Sequence, residues 1–258
     1  MRKAVIIMAG HGGKDPGASG NGYVEKHEAL VDAKLFRGKM EEYDVDIYML
    51  RSTDVFIPIN EIRNKTNEIA EKYVKWVNGK KDYSNVVFVS NHWNSFYNPA
   101  ATGWEIFANY PNTEGNKLAV HIHREVKSTL TIADRGVKYA RGGLGVLRAN
   151  PATVLIEHCF ISNPSDISKH LANRDNLAEA YARGVASYLG LKRKAKEEVK
   201  VDKKELDQEV PKWAEAAVKY VQEEKIMLGD TEDGKNFNPN KSVTRAELAT
   251  VIYRINQK

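Results

Sequence analysis

The chain is predicted to be an α/β protein: a mostly parallel twisted sheet covered by helices on both sides, plus a small, mainly helical C-terminal module. Three observations carry that prediction. Short β-branched runs alternate with longer segments of helical period over the first 190 residues. All seven histidines lie before residue 171. A charged stretch without aromatic residues, Leu191 to Val210, then divides this part from the remainder. The expected units are 1–190 for the α/β domain, 191–209 for a charged linker and 210–258 for the C-terminal module.

Taken in order, Ala4 to Met8 is a continuous apolar run and reads as the first strand, leading into Gly10-His11-Gly12-Gly13. Glu25 to Met40 reads as the first helix and Asp46 to Leu50 as the second strand. In Ile59 to Trp76, apolar residues at Ile59, Ile62, Ile69, Tyr73 and Trp76 recur at spacings that share one helix face. Val86 to Val89, Trp104 to Phe107 and Thr153 to Ile156 read as further strands. Asn116 to Leu130 and Asn173 to Leu189 read as helices. Connections between strands that pass through helices favour a parallel sheet.

Composition removes several function classes. Of 258 residues, 42% are hydrophobic and 9% aromatic, enough for a packed core, and 28% are charged. No segment approaches the roughly 20 apolar residues of a bilayer span, so no membrane span is expected. The residues before Gly10 lack the length and cleavage site of a secretory signal. The single cysteine, Cys159, excludes an intramolecular disulfide and a Cys-rich zinc knuckle. Its apolar setting between strand residues reads as core rather than as a thiol nucleophile. The net charge of +5 is diffuse, since residues 191–258 carry 15 Lys and Arg against 13 Asp and Glu. No basic element concentrates it, and no nucleic-acid partner is expected.

His11, His92 and Glu157 each fall just past the end of a predicted strand. Ligands of open α/β sheets bind at the carboxyl ends of the strands, so these three groups are expected on one rim. Gly10, Gly12 and Gly13 permit a close approach around His11. Glu25, at the start of the first helix, is placed to reach the same rim; Glu28 a turn away competes with it, either also fits an ordinary solvated helix residue, and the residues alone leave the choice open. Two imidazoles and one carboxylate leave one position free around a tetrahedral zinc ion, the pattern of a hydrolytic site. A second carboxylate must then move the proton of the attacking water, and Glu157 is the candidate. A phosphate-binding turn is the alternative reading of Gly-His-Gly-Gly.

Four motifs in order resemble the zinc-dependent N-acetylmuramoyl-L-alanine amidases of the amidase-3 type. They are Gly10-His11-Gly12-Gly13-Lys14-Asp15-Pro16-Gly17-Ala18, Val24-Glu25-Lys26, Ser90-Asn91-His92-Trp93-Asn94 and Val154-Leu155-Ile156-Glu157-His158-Cys159-Phe160-Ile161-Ser162-Asn163-Pro164. The resemblance covers residues 3 to about 190. It implies one zinc ion held by His11, Glu25 and His92, with Glu157 as the catalytic glutamate. It further implies hydrolysis of the amide joining N-acetylmuramic acid to the L-alanine of the stem peptide, with peptidoglycan as the partner. Arg51, Asn94 and Arg148 stand in similar segments and are candidate substrate-binding residues, although Arg51 and Arg148 also fit a loop-bracing role. The chain departs from the family pattern at Met8-Ala9, where Asp-Pro is usual, and at His158-Cys159, where Leu-Gly or Thr-Gly is usual.

Residues 210–258 resemble a single S-layer homology repeat, through Trp213-Ala214-Glu215, Phe237-Asn238-Pro239 and Val243-Thr244-Arg245-Ala246-Glu247-Leu248. The resemblance implies that Trp213, Arg245 and Glu247 hold an anionic secondary cell-wall polysaccharide. Such repeats usually come in threes, so homo-oligomerisation through the module is the competing expectation. A catalytic domain followed by a wall-binding domain looks like a phage endolysin, held in the host cytoplasm before lysis. A bacterial autolysin, a zinc peptidase acting on other peptides and a noncatalytic wall-binding protein are the other readings.

Overall fold

The structure is a computed structural model that describes residues 2–194, together with 219–221, 223 and 251. The chain divides into two units after Lys194. In the first, β1 (Ala4–Ala9) is followed by a short hairpin of β2 (Ser19–Gly20) and β3 (Tyr23–Val24), then α1 (Glu25–Met40) and β4 (Asp46–Met49). Next come α2 (Ile59–Glu71), the hairpin β5 (Lys75–Val77) and β6 (Lys80–Asp82), β7 (Val86–Asn94), β8 (Trp104–Ala108) and α3 (Glu114–Val126). The unit ends with β9 (Asp134–Tyr139), a 3₁₀ turn at Gly145–Arg148, β10 (Ala152–Phe160) and α4 (Pro164–Leu189).

The main sheet has the order β4-β1-β7-β10-β8-β9. β4, β1, β7 and β10 are mutually parallel, β8 runs antiparallel to β10, and β9 is parallel to β8. β1 and the first half of β7 are buried on both faces, which is why they read as unbroken apolar runs. One face packs against α1, α3 and α4 through Phe36, Met40, Leu118, Ile122, Leu177 and Tyr181. The other packs Ile6, Met8, Phe88 and Leu155 against Ile62 and Ala70 of α2 and Val146 and Leu147 of the 3₁₀ turn. Among the described residues, no helix is long and apolar enough to cross a membrane.

The structure revises several expected elements. α2 stops at Glu71, and Trp76, expected on its buried face, is 67% exposed in the β5–β6 hairpin. The Asn78-Gly79 turn decides this, because both residues take the left-handed backbone (φ 49° and 75°) that a tight hairpin demands. β9 was not expected, since its sequence DRGVKY lacks an apolar alternation and it lies at the sheet edge, half-exposed. α4 begins at Pro164, nine residues before the expected start. There Asn163 accepts hydrogen bonds from the Ser165 and Asp166 amides, and Pro164 fits the first turn, where no amide hydrogen is needed.

The expected linker also loses its first residues to the first unit. The Leu191 amide bonds Ala186 O, Arg193 pairs with Tyr43 in an isolated bridge, and the Lys194 amide donates to Glu42 O at 2.8 Å. The remainder of the linker and the module's Trp213, Arg245 and Glu247 lie outside the described residues.

Candidate metal centre

β7 extends to Asn94 and β10 to Phe160, so His92 and Glu157 lie within strands rather than beyond them, and they are register partners. Alternation along β7 and β10 sends Ser90, His92, Leu155 and Glu157 to the face covered by α2, and Asn91, Trp93 and His158 to the face covered by α1 and α4. Glu25 opens α1, at the end of the Gly-rich segment that follows β1.

His11 Nε2 and His92 Nδ1 each lie 3.0 Å from the same Glu25 oxygen, Oε1. One ligand atom from each residue falls within 4.8 Å of the others, close enough for one ion. The Glu25 side chain is buried and held by the Ala18 amide on Oε2 (2.9 Å) and the Trp93 amide on Oε1 (3.2 Å). His11 Nδ1 donates to Asp15 Oδ2 at 2.9 Å, which turns Nε2 toward Glu25, the orientation a carboxylate imposes on a ligating histidine. Two glycines make room: a Cβ on Gly10 would lie 2.3 Å from the His92 ring, and one on Gly17 would lie 2.6 Å from both Glu25 and His11. His11 itself has φ 60°, a conformation that costs a non-glycine residue about 1 kcal/mol and recurs at functional sites.

The electrostatics ask for a cation. Burial opposes an imidazolium at His11, yet the bond and charge of Glu25, with Asp15 behind it, raise its pKa to about 9. Burial likewise opposes an ionised Glu25, and the two histidines outweigh it and lower its pKa strongly. Two imidazoles and a carboxylate are also the donor types zinc takes in hydrolytic sites. The residues present therefore fit a divalent ion of that class.

Glu157 has the opposite character. Its Oε2 is shut off from solvent without a hydrogen-bond partner, and burial, then the charges of Glu25 and Glu105, push its carboxyl well up. Glu105 faces Glu157 across β8 and β10, where its own carboxylate accepts from Asn94 Nδ2 (2.6 Å) and Arg135 Nε (2.8 Å).

A second cluster, Asp32 with His158 and His170, is fully buried. Asp32 accepts from Trp93 Nε1 (2.7 Å), Arg174 Nε (2.6 Å) and His170 Nε2 (3.1 Å). Arg174 already supplies the counter-charge, so this is a structural network rather than a metal site. Burial, against the pull of Asp32, lowers the His158 pKa to about 3, and the neutral ring bridges Tyr181 OH (3.0 Å) and Asn91 Oδ1 (3.1 Å). The network thus ties down the reverse side of the two strands that carry His92 and Glu157.

The remaining expected residues fall as follows. Arg51 is corrected from substrate contact to brace: it is fully buried, and its guanidinium donates to the carbonyls of Ala9, Gly10, Lys26 and Thr53. Asp54 and Lys26 complete that brace, with the Gly13 amide on Asp54 and Lys26 Nζ on both Gly13 O and Asp54. Arg148 is exposed and donates to Gly142 O, bracing its own loop. Asn94 uses its amide on Glu105 and its oxygen on the Ser95 amide. Glu28, the rival of Glu25, pairs with Arg174 at 2.8 Å. Cys159 is buried, and burial raises its thiol pKa far above the range of a nucleophile. Sequence reasoning missed Asp15, Asp32 and Glu105. Asp15 carried a signal, standing four residues after His11 in the same motif, whereas Asp32 had none.

The family model described as N-acetylmuramoyl-L-alanine amidase matches residues 5–187, and the S-layer homology domain model matches residues 208–249. The chain is 32% identical over 207 residues to an endolysin of Bacillus phage SPP1, covering 76% of this chain and 69% of that protein. It is 34% identical to the sporulation-specific N-acetylmuramoyl-L-alanine amidase of Bacillus subtilis, covering 73% and 69%. It is 30% identical to the amidase LytC of Bacillus subtilis, but spans only 35% of that longer chain. Among solved structures, an N-acetylmuramoyl-L-alanine amidase from Clostridium difficile 630 superposes with a TM-score of 0.63 at 30% identity, covering 73% of this chain and 97% of the other.

Proposed function

The chain belongs to the N-acetylmuramoyl-L-alanine amidase family, and from that membership we propose that it hydrolyses the muramyl–L-alanine amide of peptidoglycan with one zinc ion on His11, Glu25 and His92. The observation that carries the zinc reading is the convergence of His11 Nε2 and His92 Nδ1 on Glu25 Oε1, beside a buried, unpartnered carboxyl oxygen of Glu157. When bound, zinc supplies a Lewis acid that polarises the amide carbonyl and activates water.

The protein's own groups do the rest. Glu157 takes a proton from the attacking water and passes it to the departing alanine nitrogen. The new C–O bond forms first and the C–N bond breaks once the nitrogen has received that proton, leaving a lactyl carboxylate and a free α-amine. The buried, unpartnered Oε2 of Glu157 leaves an oxygen free to hold the proton between those two events. Asp15 keeps the His11 ring turned toward the ion, and the Arg51–Lys26–Asp54 brace keeps the Gly-rich turn in place.

The test is mass spectrometry of purified peptidoglycan digested with the protein, untreated, chelated, and chelated with zinc restored. Free N-terminal L-alanine that disappears on chelation and returns with zinc is the expected result. Intact stems or cuts elsewhere overturn the reading.

The C-terminal module is proposed to hold an anionic wall polysaccharide through Trp213, Arg245 and Glu247, a role supported by the S-layer homology match. Truncation after Lys194 then weakens sedimentation with whole walls, and a shift of native mass instead favours self-association. The likeness to the phage SPP1 endolysin supports a lytic role from the host cytoplasm. Expressed in a susceptible host, the protein then lyses cells only once the membrane is permeabilised.

A further inference from the structure

The hydrogen bonds behind the catalytic strands include a chain that can run in one direction only. Asn91 Nδ2 donates to Met8 O at 3.1 Å, and a carbonyl only accepts, so Asn91 Oδ1 faces His158 Nε2 as an acceptor, at 3.1 Å. Nε2 therefore carries the imidazole proton, and Nδ1 accepts from Tyr181 OH at 3.0 Å. The Tyr181 oxygen in turn accepts from Trp104 Nε1 at 3.0 Å, and an indole only donates. The two ends leave a single arrangement, which needs a neutral His158, and burial keeps it so.

The chain crosses four adjacent strands, β1, β7, β10 and β8, and its members are sequence neighbours of the groups at the site. Asn91 precedes His92, His158 follows Glu157, and Trp104 precedes Glu105. Regular pairing of β7 with β10 ends at this level. His92 stands opposite Glu157, but Asn94 stands opposite Phe160, so β10 takes three steps where β7 takes two. His158 lies in that bulge, and its bond to Asn91 joins the strands where the ladder is interrupted.

We propose that His158 is a positioning residue for Glu157: its Nε2–H bond to Asn91 locks the bulge of β10, and with it the place of the Glu157 carboxyl beside the metal centre. The inference rests on the amidase reading above. A one-residue slip of a strand sends each of its side chains to the other face of the sheet, and a bulge is where such a slip starts. Asn91 resists it from the β7 side, because Met8 O fixes the amide that receives the His158 proton. The donor at position 158 is therefore the part of the imidazole that the reaction depends on.

The experiment compares two variants of the full chain that each keep one half of the imidazole. In His158→Gln the side-chain nitrogen replaces Nε2 and still donates to Asn91. In His158→Asn the side-chain oxygen replaces Nδ1 and still accepts from Tyr181, but the bond to Asn91 is lost. The readouts are kcat and KM on a soluble muropeptide, zinc content, and hydrogen exchange of peptides that cover residues 157–160. With His158→Asn, kcat falls about 10–100-fold while KM stays within about twofold, zinc remains at one equivalent and exchange at 157–160 quickens at least about tenfold. With His158→Gln, kcat returns to within about fivefold of the parent and exchange stays slow. Asn91→Ala removes the same bond from the other strand and gives the His158→Asn pattern, so the test stands even if that variant does not fold. Equal losses in the Gln and Asn variants, a parent-like kcat without the bond, loss of zinc, or exchange that quickens over the whole α/β unit overturns the proposal. A parent that releases no L-alanine termini from peptidoglycan sinks the amidase reading, and the exchange contrast between the two variants then decides the lock by itself.

Discussion

Asp32→Ala tests the network behind the catalytic strands. The substitution removes three short hydrogen bonds, from Trp93, Arg174 and His170, and leaves the Arg174 guanidinium with only Glu28 as a partner. Breaking one side of a buried ion pair costs about 3–5 kcal/mol, because the remaining charge keeps its desolvation cost without its compensation. For a unit of this size each kcal/mol moves the melting temperature by about 2–4 °C, so a drop of about 6–20 °C is expected. Differential scanning calorimetry of the full chain reads it as a shift of the transition of the α/β unit. The double variant Asp32→Leu with Arg174→Met removes both charges and recovers at least half of the loss, since a buried pair and an apolar pair of similar volume differ little. A single variant that melts within about 2 °C of the parent, or a double variant no better than the single, refutes the account of this cluster as an ion pair that must be complete to be tolerated.

Three other outcomes follow from the same geometry. Glu157→Gln lowers amide hydrolysis by a factor of about 10²–10⁴ while zinc content by elemental analysis stays near one, and a near-normal rate removes Glu157 from proton transfer. Asp15→Asn, which weakens the bond that orients His11, reduces zinc affinity about 10–100-fold in a competition titration, and unchanged affinity shows that the ring needs no such orienter. His158 makes stability depend on pH above the ordinary carboxylate range. His158 binds a proton in the unfolded chain near pH 6.5 but not in the folded one until about pH 3, so the unfolded state holds more protons between those values. The His158 contribution to stability is therefore fully present above pH 6.5 and falls by about 1.4 kcal/mol per pH unit below it, with Asp32 adding to the loss at lower pH, while Glu157, whose carboxyl is raised, contributes in the opposite sense above pH 4.5. His158→Asn lowers the slope of stability against pH between pH 6.5 and 4 in denaturant titrations, and a slope parallel to that of the parent refutes the assignment.

Much of the site was legible because it is written in short contiguous motifs. Gly-His-Gly-Gly announced both a reactive imidazole and the space it needs, and Gly10 turns out to be the residue against which the His92 ring packs. The strand cores were legible because burial on both faces leaves only apolar residues, as in Ala4 to Ala9. β7 and β10 were read too short because polar residues begin where the site begins, so Asn91, His92 and Glu157 broke the apolar pattern without ending the strands. Trp76 misled in the opposite sense, since its spacing from Ile62, Ile69 and Tyr73 fits a helix face that the chain abandons at Glu71.

What the sequence determined by itself is therefore local: element types from periodicity, the donor set from residue type, and the reaction class from four ordered motifs. The tertiary structure decided partnerships. Arg51 and Asp54 brace the turn that carries His11 from some 40 residues away, and His170 reaches Asp32 across 138 residues. Between Glu25 and Glu28, the residues alone set no preference, and the fold sends one to the two imidazoles and the other to Arg174. The physical reason is the cost of burying charge. A charged side chain enters the interior only where an opposite charge or a set of donors meets it. The position of that partner depends on which elements pack together, which no short stretch of sequence specifies.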